Sequence, residues 1–429
     1  MPDPSLAADA TVLVLSGPRL ADGRTVDVLL SAGRVKAVGT PGSLPVPPSV
    51  SRSVPPSVSG EAAPGARGTP ARLNLSGYLL LPAPAEPHAH LDSALTGTGP
   101  EPVPGGPAAL RRRITEAALV QLGHGATAQR THIRVGDAHG LAALEAALAA
   151  RRALRGLATL TTVAAPRRLT GRSGADNRAM LREAAAMGAD ALGGTPDLDP
   201  DPAGYAEAVR AVAEEHGRPL DLHTDAADPA RLHRLAAAVA ACPGGVTLGP
   251  CAGLARLPAD VAARAAEQLA AAGVTVACLP QGPCSLAAPG PPPAAPVRLL
   301  AAAGVPVTAG SGTLRDAANP VGRGDPLEAA YLLATRGELT AQAAYEAVSA
   351  RARAALGLPE VRVAAGFPAD LLAVRGDTVP GALSLAYSRL VIHQGRVVAR
   401  TSAVREYRGT PGGAVPPVRP GLPRQATGE

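Results

Sequence analysis

The chain has 429 residues, 46% of them hydrophobic, and a net charge of +6 carried almost wholly by arginine, since Lys36 is its one lysine. That length suits one barrel-sized domain with a smaller one beside it, and the apolar content supports a globular protein. The basic residues are scattered and aromatic residues make up only 2%, so there is no stacking platform for single-stranded nucleic acid and no nucleic-acid partner is expected.

At the N-terminus, Asp3 and Asp9 stand where a secretory leader would be basic. The uncharged run 235–255 is broken by Pro243 and Pro250, so no membrane span is expected and the predicted location is the cytoplasm. Residues 11–40 read as short strands broken by Gly-containing turns, with Ala32-Gly33 joining the last hairpin. Residues 43–72, where VPPSVS occurs twice, hold too little apolar surface to order themselves and read as a disordered insertion.

Next come eight short β-like runs, at 79–81, 130–135, 157–163, 190–194, 219–223, 245–249, 273–279 and 305–310. Helical patterns such as 140–154, 203–216 and 259–272 separate them, which predicts an α/β chain with a parallel (β/α)8 TIM-type barrel over 79–360. The loop at 287–296 is Pro-rich like the insertion, and 388–400 is a further hairpin with Gln394-Gly395 at its turn. Hairpins near both ends imply one small β-sandwich domain built from 1–78 and 361–408, with 409–429 as a disordered tail. Cys242, Cys251, Cys278 and Cys284 are too few and too unevenly spaced for a disulfide framework and read as buried thiols.

In such a barrel, chemistry gathers at the C-terminal ends of the strands. His88 and His90, at i and i+2, share one face of an extended segment and form a candidate metal pair. His223 closes the fifth run and completes a set of three imidazoles, enough to hold one divalent ion such as Zn or Fe while leaving a position for water. The chain's one lysine, Lys36, lies in the expected β-domain, so the barrel holds none. The Gly310-Ser311-Gly312-Thr313 turn, with Arg315 nearby, reads as an ordinary turn or as an anion-binding one.

From about residue 11 to about 408 the chain resembles the cytosine deaminase branch of the amidohydrolase superfamily. The motifs that carry this are LLLPAPAEPHAHLD at 79–92, RTHIRVGD at 130–137, GADALGGTP at 188–196, LDLHTD at 220–225 and AAGFPADLL at 364–372. The resemblance implies metal-dependent hydrolysis of C–N bonds in cyclic amides or amidines, with a small molecule as ligand. It also shows departures. The family's fifth-strand glutamate, which shuttles a proton to the substrate ring, corresponds to Ala226; its sixth-strand histidine corresponds to Pro250; and its metal-binding aspartate after the eighth strand corresponds to Gly312. A pocket glutamine corresponds to Arg167, the candidate substrate-binding residue, and an aromatic residue corresponds to Ala318. Deaminase activity is therefore expected to be slight or absent, the alternative being a pseudoenzyme that binds a small ligand or a partner protein. Assembly with further copies of the chain is left open. Asp92, Asp225, Asp316 and Cys251 are weighed as substitutes and read mainly as structural, and His132 reads as a hydrogen-bonding residue of the barrel interior.

Overall fold

The computed structural model describes residues 12–44, 71–97, 105–136, 140–240, 242–282, 284, 294–385 and 388–403. Most of the expected insertion, the centre of the 287–296 loop, the 409–429 tail and His139 lie outside them. The chain divides into Met1–Ala83 with Glu360–Glu429, and Pro84–Pro359.

Five strands, β1 (Leu13–Arg19), β2 (Thr25–Ser31), β3 (Arg34–Gly39), β4 (Ala71–Asn74) and β5 (Tyr78–Pro82), precede the barrel. Its eight are β6 (Ala85–Ala89), β7 (Ala128–Val135), β8 (Thr159–Pro166), β9 (Ala191–Gly194), β10 (Leu220–Thr224), β11 (Val246–Pro250), β12 (Thr275–Cys278) and β13 (Val307–Ala309). Three more, β14 (Leu371–Arg375), β15 (Arg389–His393) and β16 (Arg396–Thr401), return to the first unit.

The first unit is one sheet in the order β16-β15-β14-β5-β1-β2-β3, with β4 paired to β1. Ala32-Gly33 and Gln394-Gly395 both take positive φ at the two turn residues, the conformation that matches the twist of a two-residue hairpin. The sheet curls until its far edge meets the segment before β14: Val35 N–H donates to Phe367 O at 2.9 Å and Ala369 N–H to Gly33 O at 2.9 Å. Leu13, Leu15, Val28, Leu30, Leu80, Leu371 and Ile392 fill the space enclosed.

Two boundaries differ from the sequence expectation. The Leu79–Leu81 run belongs to this sheet, not to the barrel, because β5 pairs antiparallel with β14, Leu80 opposite Ala373. An unbroken apolar run fits any strand buried on both faces, so the sequence pattern could not assign it to one sheet. Likewise Ala71 and Arg72, at the end of the expected insertion, sit in β4 opposite Leu13 and Val14.

In the second unit β6 to β13 are parallel neighbours in chain order, and an Ala89–Gly312 bridge joins the first strand to the segment after the last. Helices α1 (Pro107–Gly123), α2 (Ala142–Ala153), α3 (Gly171–Met187), α4 (Pro202–His216), α5 (Pro229–Val239) and α6 (Ala259–Ala271) follow successive strands. After β12 comes α7 (Val297–Ala302), and after β13 come α8 (Pro326–Thr335), α9 (Ala341–Val348) and α10 (Ala350–Ala355). Asp-Pro pairs start three of these helices. The carboxylates of Asp201, Asp228 and Asp325 accept from the exposed N–H groups of the first turn, and Pro202, Pro229 and Pro326 occupy the position where no N–H is needed.

Small residues set the spacing beneath the site. A Cβ on Gly193 would lie 1.9 Å from Asp221 O, so only glycine lets β9 approach β10 this closely. Tyr205 fastens the same region, its buried hydroxyl lying 2.7 Å from Pro166 O and 3.0 Å from Gly193 O. Among the described residues no helix is long and apolar enough to cross a membrane.

Candidate metal centre

The strand ends bring together His88 from β6, His90 immediately after it, and His223 from β10. The Nε2 atoms of His90 and His223 are 3.0 Å apart, and the His88 ring centroid is 4.5 Å from that of His223. A fourth imidazole joins them. His132 lies 4.3 Å from His88 and 4.4 Å from His223, centroid to centroid. All four rings offer a nitrogen within 4.8 Å of every other, and this is the one such group of histidine, cysteine or carboxylate donors among the described residues.

His132 was missed as a member of this group because β7 continues past it to Val135 and nearly every residue of the strand is buried, leaving no alternation to read. Register explains its place: Ala89 pairs with Thr131, which sets His132 level with His90. The available signal was Arg130 and His132 at i and i+2, the same spacing as His88 and His90.

Burial makes the cluster a set of neutral donors. It holds the His88 and His132 imidazoles well below their usual range, reinforced by the neighbouring rings, and takes His90 down to about 4 and His223 to about 3. Neutral imidazole is the form that binds metal. Both ring nitrogens of His88 lack a hydrogen-bond partner, and those of His132 and Nδ1 of His223 have no well-aligned one. Unpartnered buried polar atoms are costly, and a bound cation would satisfy them, so the donor set fits a metal ion.

Below the imidazoles lies a layer of buried charge. Asp221, two residues before His223, receives Arg130 Nη1 at 3.0 Å. Its other oxygen is 3.2 Å from His132 Nε2 and 4.0 Å from His88 Nδ1, close enough for attraction but not aligned as hydrogen bonds. Glu86, two residues before His88, accepts from Ser311 N–H at 2.8 Å and from its hydroxyl at 2.5 Å. Burial raises the Glu86 carboxyl to about 7 despite those bonds. With the Ser311 amide given to Glu86, and that of Thr313 given to Ser311 O, the Gly-rich turn holds a carboxylate of its own chain, which speaks against the anion-binding reading.

Ala226 follows β10, Pro250 ends β11, and Gly312 follows β13 at a φ of 74°. The proposed substitutes are held by other partners. Asp225 is ion-paired with Arg256, Asp92 receives Arg134 Nε at 3.2 Å, and Asp316 accepts from the N–H groups of Ala318 and Asn319 at 2.9 Å each. Burial pushes the Cys251 thiol up, away from the thiolate that a metal would require. Arg167 is exposed, just beyond Pro166 at the end of β8.

Comparison with known proteins agrees with this architecture. Residues 109–399 match the amidohydrolase family. The chain is 31% identical over 246 residues to a pterin deaminase of Rhizobium rhizogenes, a match covering 53% of this chain and 54% of that one, so it spans about half the length of this relative. N-isopropylammelide isopropylaminohydrolase from Burkholderia multivorans superposes with a TM-score of 0.73 at 26% identity, over 91% of this chain and 99% of that one. The 5-methylcytosine deaminase of Klebsiella pneumoniae, bound to phosphonocytosine, gives 0.75 at 22% identity, over 92% and 100%, a likeness of fold. With its barrel, its curled β-domain and a family match over more than half its length, the chain belongs to the amidohydrolase family.

Proposed function

We propose that the chain binds one divalent ion, Zn or Fe, through His88, His90 and His223, accepts a small nitrogen heterocycle at the barrel mouth, and does not deaminate cytosine. The observation that carries this reading is the set of contacts around the vacant positions: Asp92, Asp225 and Asp316 are each engaged elsewhere, while alanine, proline and glycine stand at 226, 250 and 312. Hydrolytic deamination consumes one water and releases ammonia as a C–N bond is exchanged for a carbonyl. A proton must leave the water and another must reach the ring nitrogen or leaving group. When bound, the ion would polarise an oxygen and favour the loss of a proton from water. The residues needed to accept and deliver that proton are the ones this chain lacks, and losing one such group costs roughly 10²–10⁴-fold in rate.

A single ion accords with the place of Lys36, which is exposed on β3 in the other unit, leaving the barrel no lysine to bridge a second. Asp221 is no substitute base. It lies one strand step deeper than His223, is inaccessible to solvent, and is occupied by Arg130.

The match to a pterin deaminase favours a second reading, in which the chain hydrolyses a C–N bond of a fused heterocycle larger than cytosine. Ammonia or amine release from cytosine, pterin and N-alkylated triazine substrates distinguishes the two. The proposal expects no release from any of them by protein shown to contain its ion. Turnover of pterin that disappears on His223→Ala would establish the second reading.

A further inference from the structure

We infer that His132 is the fourth ligand of the ion, so that His88, His90, His132 and His223 enclose it completely and leave no position for water or substrate. The inference rests on the reading that this cluster holds an ion, and goes beyond it by assigning the coordination.

Three observations lead to it. The first is distance. The His132 ring is as close to His88 and His223 as those rings are to each other, with centroid separations of 4.3, 4.4 and 4.5 Å. An ion that holds imidazole nitrogens at about 2.0–2.1 Å spaces them about 3.3 Å apart in a tetrahedron. The 3.0 Å between the Nε2 atoms of His90 and His223 is already near that spacing, and all four residues offer a nitrogen within 4.8 Å of one another.

The second observation is the state of the ring. His132 is 2% exposed and neither of its nitrogens has a well-aligned hydrogen bond, although Asp221 is 3.2 Å from Nε2. A histidine kept in the interior only to hydrogen-bond a carboxylate would be aligned with it. The third is charge. Gly312 supplies no carboxylate after β13, and His132 is the remaining donor of the cluster that could take a fourth place. Four neutral imidazoles leave the charge of the ion unbalanced, and Asp221, near both His132 and His88, offsets it from the layer below.

A site with four protein ligands is closed, and closed sites hold folds together, whereas catalytic ones keep a position open. The ion would thus have passed from activating water to tying β6, β7 and β10 together.

Cobalt(II) added to metal-free full-length protein tests this, because its visible spectrum reports coordination. The inference expects one bound ion with an intense four-coordinate spectrum that excess azide leaves unchanged. In His132→Ala the affinity should fall at least about tenfold. The spectrum of this variant should respond to azide, and free imidazole should restore the wild-type spectrum by filling the vacated place. If azide changes the wild-type spectrum, the site has an open position, His132 is not the fourth ligand, and the inference fails while the three-histidine reading stands. If cobalt does not bind, both fail. Should His132→Ala not fold, the wild-type response to azide decides alone.

Discussion

The Nε2 atoms of His90 and His223 meet at 3.0 Å across 133 residues of chain, one carried just beyond β6 and the other at the end of β10. Two buried imidazoles this close cannot both be charged; one neutral ring can donate to the other, and with both Nε2 atoms unprotonated a cation could take both lone pairs. Metal removal should therefore destabilise the protein. A ligand that binds only the native state at 100 times its Kd contributes about 2.7 kcal/mol. Thermal unfolding with and without zinc should show a clear upward shift for the wild type and none for His223→Ala.

Gly312 shows why a missing carboxylate is not easily restored. Its φ is 74°, and a Cβ there would lie 2.9 Å from Leu279 Cδ1. Gly312→Asp should cost about 1–3 kcal/mol from the left-handed backbone alone, measured as a lower urea midpoint. Adding Leu279→Ala should remove the clash but leave the backbone cost, so the double variant should give no cytosine deamination.

Asp199 provides a pH-dependent test outside the site. Its carboxylate accepts from Leu169 N–H at 2.8 Å, from Asp201 N–H at 3.0 Å and from the Thr170 hydroxyl, holding together the loops after β8 and β9. Burial would raise its pKa, but these bonds outweigh it and hold the group below 3.8. Because the folded value is depressed, the stabilisation is present above the unfolded value and lost as pH falls through the folded one. Asp199→Ala should cost about 1–3 kcal/mol at neutral pH, and the gap from wild type should close as the pH falls below 3.8, measured by urea unfolding at a series of pH values.

Much of this arrangement could be read from local pattern. The turns at Ala32-Gly33 and Gln394-Gly395 carry their signal in two residues, and His88, His90 and His223 stand where barrel logic directs attention. What escaped depends on register and on long-range pairing. Leu79–Leu81 suits either sheet until β14 is seen beside it, His132 is concealed in a strand buried on both faces, and Glu86 finds Ser311 225 residues away. No sequence window contains those relationships, because the first is fixed only when β14 pairs with β5 and the others only when the barrel strands come together.

The most direct test is ammonia release from cytosine by the full chain after elemental analysis has shown one bound ion per molecule. With Ala226, Pro250 and Gly312 in the places of the proton-transferring and metal-binding groups, no release above the rate without protein is expected. Release that depends on protein concentration and disappears in His223→Ala would contradict the account, since it would require a base in the barrel that the contacts of Asp92, Asp221, Asp225 and Asp316 do not provide.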